Sequence, residues 1–191
     1  PDLGDMTKVD WENAGPIDLL AGGTPCQSFS VAGLRAGLSD PRGNLALHFL
    51  RIAYLKSARW VLWENVPGVL SSGGGEDFKS FLSGLAGWDI PTPQDGWKNS
   101  GVITGAPGCY GVAWRVLDAK HFGVPQRRRR LFACGFLGGW QGAAAVLFER
   151  ESLHRDSEKG GKAGTSVARS VTASTGGVSA KEQQHTFVGA D

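Results

Sequence analysis

The stretch IDLLAGGTPCQ, residues 17–27, places an apolar run directly before a glycine-rich turn that carries a cysteine. The run from Ile17 to Ala21 is broken only by Asp18 and is bounded by glycines. A short, continuous apolar run of this kind is typical of a strand buried in a parallel sheet. We therefore predict a buried parallel strand over Ile17 to Ala21, with Cys26 in the loop at its carboxyl end.

The segments that follow predict a helix and a second strand. Residues 45–55 present a broad apolar face at helical spacing, with Asn44 as a candidate N-cap. Trp60 to Trp63 is again fully apolar and ends at Glu64. Strand, helix and strand form a βαβ unit, which is parallel and right-handed almost without exception. Because ligands of such sheets bind outside the carboxyl ends of the strands, we expect Cys26 and Glu64 to share one edge.

The rest of the chain divides into four parts. Residues 76–86 predict a further helix, and residues 87–111 are rich in Gly, Pro and Trp without a sustained period, which indicates a long structured insertion. Val112 to Leu117 and Leu131 to Phe136 read as a hairpin-like pair of strands. From about residue 151 the chain turns polar and rich in Ser, Thr and Gly, as linkers are.

Length and composition set outer bounds on the function. The chain has 191 residues, 41% hydrophobic and 20% charged, which suits one globular domain with a core. Its three cysteines form no Cys-x-x-Cys pair, which argues against a disulfide framework and a structural zinc site. No apolar run approaches the roughly 18 residues of a membrane span, and no leader is recognisable, so a cytoplasmic location is expected. The start at Pro1 and the late first strand lead us to expect a missing N-terminal segment.

The three cysteines do not invite the same interpretation. Cys109 and Cys134 are expected to be small packed side chains, as most lone cysteines are. Cys26 lies in a loop among Gly and Ser residues, where backbone N–H groups can lower the pKa of a thiol. Its position alone leaves a nucleophile and a packed thiol equally open, and none of the four histidines is an obvious base for a Cys/His hydrolase.

A carboxyl and an arginine run complete the candidate chemistry. Glu64 is either an ordinary solvated charge or, beside Trp63 and Val66, a carboxyl with a raised pKa that can hydrogen-bond a ring nitrogen. Four consecutive arginines at 127–130 are either a solvated cluster or side chains fixed at the start of a core strand. In a strand, Arg128 and Arg130 would point to the same face.

Taken in order along the chain, four motifs resemble the DNA (cytosine-5) methyltransferase family, phage or bacterial type. They are GGTPCQSFSVAG at 22–33, DPRGNL at 40–45, ENV at 64–66 and QRRRR at 126–130. The opening GDMTKVD at 4–10 is similar to the family's segment that ends at the cofactor's adenine. The insertion at 87–111 and LFERESL at 147–153 are similar to phage-type members.

The resemblance implies an α/β fold: a Rossmann-like S-adenosylmethionine-dependent methyltransferase sheet with flanking helices, its N-terminal cofactor-loop portion missing. It also implies a partial catalytic domain at 1–150 and a linker or the start of a target-recognition region at 151–191. The implied catalytic residues are Cys26, Glu64, Arg128 and Arg130. The implied cofactor-binding residues are Asp5, Met6, Pro25 and Leu45. The implied substrate-binding residues are Gln27, Ser30, Asn65, Val66 and Gln126.

By the same resemblance the cofactor is S-adenosyl-L-methionine, no metal is needed, and the partner is double-stranded DNA whose target cytosine is flipped out. A monomer is expected, although the sequence does not address the oligomeric state. Three alternatives stay open: a truncated or degenerate relative that binds DNA without catalysis, an unrelated thiol enzyme acting on a small molecule, and an RNA substrate within the same family.

Overall fold

The computed structural model describes residues 2–25, 45–123 and 125–148. The strands in these ranges are β1 (Leu19–Gly22), β2 (Trp60–Asn65), β3 (Ser100–Ile103), β4 (Gly111–Asp118) and β5 (Arg129–Phe136). The helices are α1 (Leu45–Leu55), α2 (Glu76–Ala86) and α3 (Trp140–Leu147). Short 3-10 turns lie at Pro67–Leu70, Ser72–Gly75 and Ala119–Phe122. None of the helices in the described ranges has the length and apolar character that crossing a bilayer requires.

The five described strands form one mixed sheet in the order β1-β2-β5-β4-β3. β1 pairs with β2 in parallel, with Gly22 opposite Trp63, which confirms the predicted parallel pair. β5 runs antiparallel to both β2 and β4, which confirms the predicted strand pair around the arginines. Because of these directions, the carboxyl ends of β1 and β2 and the start of β5 meet at one edge of the sheet.

The first strand differs from the prediction in position and in burial. β1 begins at Leu19 rather than at Ile17, and the Leu19 side chain is 54% exposed. The reason is its place in the sheet: within the described residues β1 is an edge strand that pairs only with β2. The apolar run therefore predicted a strand correctly, but the expectation that the strand is buried on both faces was wrong.

The predicted insertion at 87–111 contains a strand that the sequence analysis missed. β3 pairs with β4, and all four of its residues are buried. A strand that is buried on both faces has no polar alternation, so its period of two is hidden. Gly101 of β3 has no room for a larger side chain, because a Cβ at this position would come 2.3 Å from the Trp114 ring.

The core lies on both faces of the sheet. On one face, α1 and α2 cover β2, where Trp63 stacks on Phe81 with ring centroids 3.9 Å apart. On the other face α3 covers Cys134, and burial raises the pKa of that thiol to about 11. Cys134 is thus a packed thiol, as predicted. Cys109 is half-buried, and a Cβ on Gly87 would come 2.3 Å from its sulfur.

Candidate functional site

The site predicted from the sequence falls at the edge where β1 and β2 end. Cys26, Gln27 and Ser30 lie outside the described residues. Glu64 and Asn65 are the last two residues of β2, and Thr24 and Pro25 belong to the chain that leaves β1. The structure thus brings the segment before Cys26 beside the Glu-Asn-Val motif, as the parallel pairing requires.

Glu64 and Arg130 form an ion pair across neighbouring strands. Arg130 donates from Nε to Oε1 of Glu64 over 2.8 Å, and the side chains are 26% and 36% exposed, respectively. The register explains the contact: Glu64 lies opposite Phe132, and Arg130 is two residues away on the same face, within reach of a long side chain. A charge-assisted bond of this length holds the carboxylate in a defined direction.

The surroundings of Glu64 differ from the apolar ones that the sequence suggested. Trp63 points into the core on the other face of the strand, and Val66 is 51% exposed. The neighbour that the structure gives the carboxylate is the guanidinium of Arg130. Glu64 is thus neither an unpartnered surface charge nor a carboxyl in an apolar pocket.

Gly23 borders the same carboxylate on the side of β1. A Cβ at this position would lie 2.9 Å from Oε2 of Glu64 and 3.3 Å from its backbone oxygen. Real Cβ atoms essentially never come this close to another atom, so a side chain at this position would require the Glu64 carboxylate to shift. The Glu64 carboxylate therefore lies between the backbone of Gly23 and the guanidinium of Arg130.

Thr24 is held by two residues of β2 and is only 6% exposed. The indole Nε1 of Trp63 donates to its hydroxyl oxygen over 2.9 Å. Nδ2 of Asn65 donates to its backbone carbonyl over 3.0 Å. Thr24 and Trp63 were not predicted from the sequence to lie next to the candidate site. The available signal was the spacing of Trp63 and Asn65, two apart on one strand and hence on one face.

The predicted substrate residues at this edge have different surroundings. Asn65 uses its amide within the chain, since its Oδ1 accepts from the Val66 N–H over 2.8 Å in addition to the bond to Thr24. Val66 and Gln126 are exposed. Their roles toward a substrate stay predictions.

The arginine run crosses the boundary of β5. Arg127 and Arg128 precede the strand, and Arg129 and Arg130 begin it. Arg128 is anchored through its backbone, whose N–H donates to Oδ1 of Asp118 over 3.2 Å, while its side chain is exposed. The run therefore provides one side chain fixed at Glu64 and an exposed group of cations next to it.

The predicted cofactor residues near the start of the chain combine a charged and an apolar side chain. The Asp5 carboxylate is exposed, and its pKa is lowered, chiefly by the hydrogen bond from the Thr7 backbone N–H and then by the Thr7 hydroxyl. The charge of His48, one turn into α1 from Leu45, also acts on Asp5. Met6 is half-buried against the main core. An exposed carboxylate followed by a half-buried thioether is a pair of groups that can bind the amino group and the ring of an adenine.

Pro25, the fourth predicted cofactor residue, is exposed directly after the buried Thr24. Within the described ranges, no group of three or more His, Cys, Asp or Glu side chains is arranged to hold a metal ion.

Comparison with known proteins relates most of the chain to one protein family. The family model described as C-5 cytosine-specific DNA methylase matches residues 1–89 and 105–182. The unmatched residues 90–104 fall inside the predicted insertion and include all of β3.

Among the curated relatives that match, two show how much of their length this chain covers. A protein of Escherichia phage P1, called a DNA N-6-adenine-methyltransferase, is 45% identical over 190 residues, which take in 81% of this chain and 25% of that protein. The type II methyltransferase M.AquIA of Picosynechococcus sp. is 39% identical over 119 residues, or 62% of this chain and 43% of that protein. The chain thus spans between a quarter and a half of the length of these two relatives.

Solved structures also match this chain, and one of them serves as an example. It is a proposed DNA modification methyltransferase encoded within an E. coli prophage, 23% identical, with a TM-score of 0.43 over 69% of this chain and 32% of that one.

Proposed function

The chain belongs to the family of C-5 cytosine-specific DNA methylases, and from this membership we propose that it carries the catalytic centre of a DNA (cytosine-5) methyltransferase. The observation that supports the proposal most directly is the Glu64–Arg130 pair against Gly23, three residues before Cys26. A carboxylate, a guanidinium and the chain leading to a thiol at one sheet edge are the groups that this chemistry requires.

The chemistry explains why a thiol is needed. Carbon C5 of cytosine is too weak a nucleophile to attack a methyl donor directly, so the ring must first be activated. Cys26 would add as a thiolate to C6, forming a C–S bond and moving electron density to C5. This divides one difficult step into several easier ones.

Glu64 and Arg130 would act on the base during this addition. We propose that Glu64 hydrogen-bonds the N3 and amino side of the cytosine, where charge changes as the thiolate adds. Arg130 orients the carboxylate, and with Arg128 it contributes positive charge that favours a thiolate and binds the base oxygen O2 and the nearby phosphate. After C5 has accepted the methyl group and the demethylated donor has left, a base would remove the C5 proton. The electron pair of that C–H bond would re-form the C5–C6 double bond, and the C–S bond would break to release Cys26 as a thiolate.

The methyl donor would be held by residues close to the start of the chain and of α1. Asp5 is proposed to accept from the adenine amino group, with Met6, Pro25 and Leu45 beside the cofactor. When bound, S-adenosyl-L-methionine supplies the electrophilic methyl group that C5 accepts.

The substrate is proposed to be double-stranded DNA, acted on in the cytoplasm by a monomer. Because C5 and C6 are not accessible in a stacked duplex, the cytosine must be flipped out, at a cost of roughly a few kcal/mol. Gln27, Ser30, Asn65, Val66 and Gln126 are proposed to line the path of the base and its strand.

A second candidate, transfer to N6 of adenine, is favoured only by the name of the phage P1 relative. That reaction uses the lone pair of an exocyclic amine and needs no thiol adduct. It would leave the Pro-Cys-Gln and Glu-Asn-Val motifs without a chemical role, so we prefer cytosine C5.

The test uses the complete reading frame that encodes this chain. The protein is incubated with S-adenosyl-L-methionine and duplex DNA containing 5-fluorocytosine, which cannot lose fluorine as it would a proton. We expect a covalent protein–DNA adduct on a denaturing gel and by intact mass, and we expect Cys26→Ser to form none.

Nucleoside analysis of methylated natural DNA separates the candidates. 5-Methylcytosine with a Cys26-dependent adduct supports the proposal. N6-methyladenine without an adduct would replace it with the second candidate. Bound DNA with neither product would identify a relative that binds without catalysis.

A further inference from the structure

Phe122 is the most exposed large apolar side chain in the part of the chain that the structure describes, with a relative exposure of 65%. It is the last residue of the 3-10 turn Ala119–Phe122, which follows β4 directly. A single exposed apolar residue is common on protein surfaces and by itself indicates no function. Phe122 differs because of the charges in the β4–β5 loop, whose described residues are 119–123 and 125–128.

The β4–β5 loop and the start of β5 carry positive charge only. No acidic residue stands between Asp118 and Arg130 in the sequence. The cationic side chains that follow Asp118 and are exposed to solvent belong to Lys120, Arg127, Arg128 and Arg129. The exposed ring therefore lies in a segment that attracts an anionic partner.

The conformation of this loop is fixed at its base. Oδ1 of Asp118 accepts from the backbone N–H groups of Lys120 and Arg128, both over 3.2 Å, and so joins the two ends of the loop. Gly123 ends the 3-10 turn at a φ of 81°, which glycine adopts without strain. Phe122 is therefore carried on a defined turn, and its ring can contact a partner without first ordering the backbone.

The turn is close to the Glu64–Arg130 pair on the scale of DNA. Asp118 lies opposite Arg129 in the sheet, and such partners are about 5 Å apart. A 3-10 turn rises about 2.0 Å per residue, so the Cα of Phe122 lies on the order of 10 Å from that of Asp118. Successive base pairs are about 3.4 Å apart, so a DNA whose cytosine reaches Glu64 can reach Phe122 in about four base pairs.

An exposed aromatic ring among cations is the combination that binds opened nucleic acid strands. Lysine and arginine contact the phosphates, and an aromatic ring stacks on the flat face of a base. In a closed duplex each base face is covered by its neighbours, so a ring can stack only where the duplex has been opened. Flipping a cytosine out of the duplex uncovers such faces.

We propose that Phe122 stacks on a DNA base in the segment opened by flipping, within about four positions of the flipped cytosine, while Arg127 holds a phosphate of the same strand. The inference rests on the proposed function, because it takes a flipped cytosine as the reason that a base face is free. It assigns to the β4–β5 loop a contact with a base in addition to contacts with phosphates.

Four variants of the complete protein distinguish stacking from other roles of the ring. Phe122→Ala removes the ring, Phe122→Leu keeps an apolar side chain without a flat face, and Phe122→Tyr keeps the ring. The matched control is Val146→Ala, which shortens a side chain that is 57% exposed on α3. Because neither position is buried, all four variants should melt at nearly the wild-type temperature.

DNA affinity is measured on a fully paired duplex and on a duplex of the same length with six unpaired central bases. Stacking on one base changes affinity by about fivefold to 100-fold. We expect Phe122→Ala and Phe122→Leu to lose this factor on the opened duplex and less on the paired one. Phe122→Tyr and Val146→Ala should bind both DNAs as wild type does.

The salt dependence of binding separates the ring from the charges. Phe122→Ala should leave the slope of log K against log salt concentration unchanged, because the ring neutralises no phosphate. Arg127→Ala should reduce that slope by about 1. A slope that falls in Phe122→Ala would mean that the substitution has displaced the cations, and it would overturn the assignment of a stacking contact.

Photo-crosslinking locates the contact. The opened duplex is prepared with 5-iodouracil in place of thymine, irradiated with the protein and digested with trypsin. Cleavage after Lys120 and Arg127 releases residues 121–127, in which Phe122 supplies the only benzene ring. We expect DNA to be crosslinked to this peptide in wild type and to its counterpart in Phe122→Tyr, but not in Phe122→Leu.

Three results would overturn the proposal. The first is a Phe122→Leu variant that binds the opened duplex as tightly as wild type, and the second is crosslinking confined to other peptides. The third is a loss in Phe122→Ala of binding to vesicles of phosphatidylglycerol and phosphatidylcholine without any loss of DNA binding, which would identify an anionic lipid surface as the partner.

The proposed function can fail separately from this inference. If wild type forms no adduct on 5-fluorocytosine DNA but binds the opened duplex through Phe122, the cytosine chemistry is wrong and the stacking contact stands. If wild type forms the adduct and Phe122→Ala binds and reacts equally well, the inference fails while the function stands. If wild type neither reacts with DNA nor binds it, both are wrong.

Discussion

Arg130 reaches across from β5 and donates from Nε to Oε1 of Glu64 over 2.8 Å. The pair joins the end of β2 to the start of β5 at the edge where β1 also ends. Both side chains are partly exposed, so the pair adds little to stability as a salt bridge on its own. Its value lies in orientation, because one carboxylate oxygen is engaged by Arg130 and the other faces the backbone of Gly23.

The first prediction concerns the charge of Glu64. Glu64→Gln should slow single-turnover methyl transfer by about 100-fold or more, since positioned acid–base groups contribute factors of that order. DNA affinity should change much less. Glu76→Gln is the control, because Glu76 also pairs with a cation, Lys79, over 3.1 Å, but at the start of α2. Equal losses of rate and affinity in Glu64→Gln would indicate a structural role.

The second prediction concerns the planar guanidinium group of Arg130. Arg130→Lys keeps the positive charge and loses the planar group that meets the carboxylate, and the two cations are not interchangeable at such a site. We expect its rate loss to approach that of Arg130→Ala. In a double-mutant cycle, Glu64→Gln with Arg130→Ala should cost less than the sum of the single changes. Additive costs would mean that the two side chains act separately.

The two adjacent glycines at the end of β1 offer a third prediction with an internal control. Gly23→Ala puts a methyl group 2.9 Å from Oε2 of Glu64, whereas at Gly22 the nearest atom is a Phe49 ring carbon at 3.4 Å. Gly23→Ala should therefore slow methyl transfer by tenfold or more, on the order of the 10²-fold that a 1 Å misplacement can cost. Gly22→Ala should leave the rate close to wild type. Circular dichroism checks that both fold, and equal rates in the two variants would contradict the geometry described for Glu64.

The exposed part of the arginine run gives a fourth prediction. If Arg128 contacts a phosphate, Arg128→Ala should reduce the slope of log K against log salt concentration by about 1. Lys79→Ala is the comparison, because Lys79 is already engaged by Glu76 and Asp89. DNA binding measured at several salt concentrations gives both slopes. An unchanged slope in Arg128→Ala would assign this side chain a role other than phosphate binding.

Several helices and strands could be predicted because the spacing of their apolar residues is regular. The helices at 45–55 and 76–86 have the same bounds in the structure, and the parallel pairing of β1 with β2 follows from a βαβ pattern. The motif order was sufficient to identify the family. β3 could not be predicted, because burial on both faces removes the alternation that reveals a strand.

The contacts within the site depend on register, which the sequence does not state. That Arg130 reaches Glu64 follows only once Glu64 is known to lie opposite Phe132. The bond from Trp63 to Thr24 likewise requires Gly22 opposite Trp63. A tryptophan in an apolar run is predicted to be a core residue. The run itself does not indicate which acceptor the indole N–H will hydrogen-bond. The roles of Cys26, Gln27 and Ser30 stay predictions.

The last prediction is a pH dependence of stability that comes from Tyr110. Its buried hydroxyl donates to the carbonyls of Ala53 and Ala58, at 3.0 and 2.7 Å, and ties α1 to the turn before β2. Burial, with a smaller effect of Cys109, raises the pKa of Tyr110 to about 12. The ordinary tyrosine value is about 10, so the folded state favours the protonated phenol. A group with a raised folded pKa stabilises fully below pH 10, and this contribution is lost as the pH rises from 10 to 12.

Tyr110→Phe should accordingly lower the free energy of unfolding at pH 7 by about 1 to 2 kcal/mol, as expected for a buried hydrogen-bonded hydroxyl. The difference from wild type should then shrink between pH 10 and 12, because phenylalanine does not ionise. Urea unfolding at pH 8, 10 and 11.5, followed by tryptophan fluorescence, measures it, since Trp63, Trp97 and Trp114 all report on this core. Parallel curves for the two proteins over this range would mean that the Tyr110 phenol ionises equally in the folded and unfolded chains, and that its burial does not link α1 to the sheet in the way the hydrogen bonds indicate.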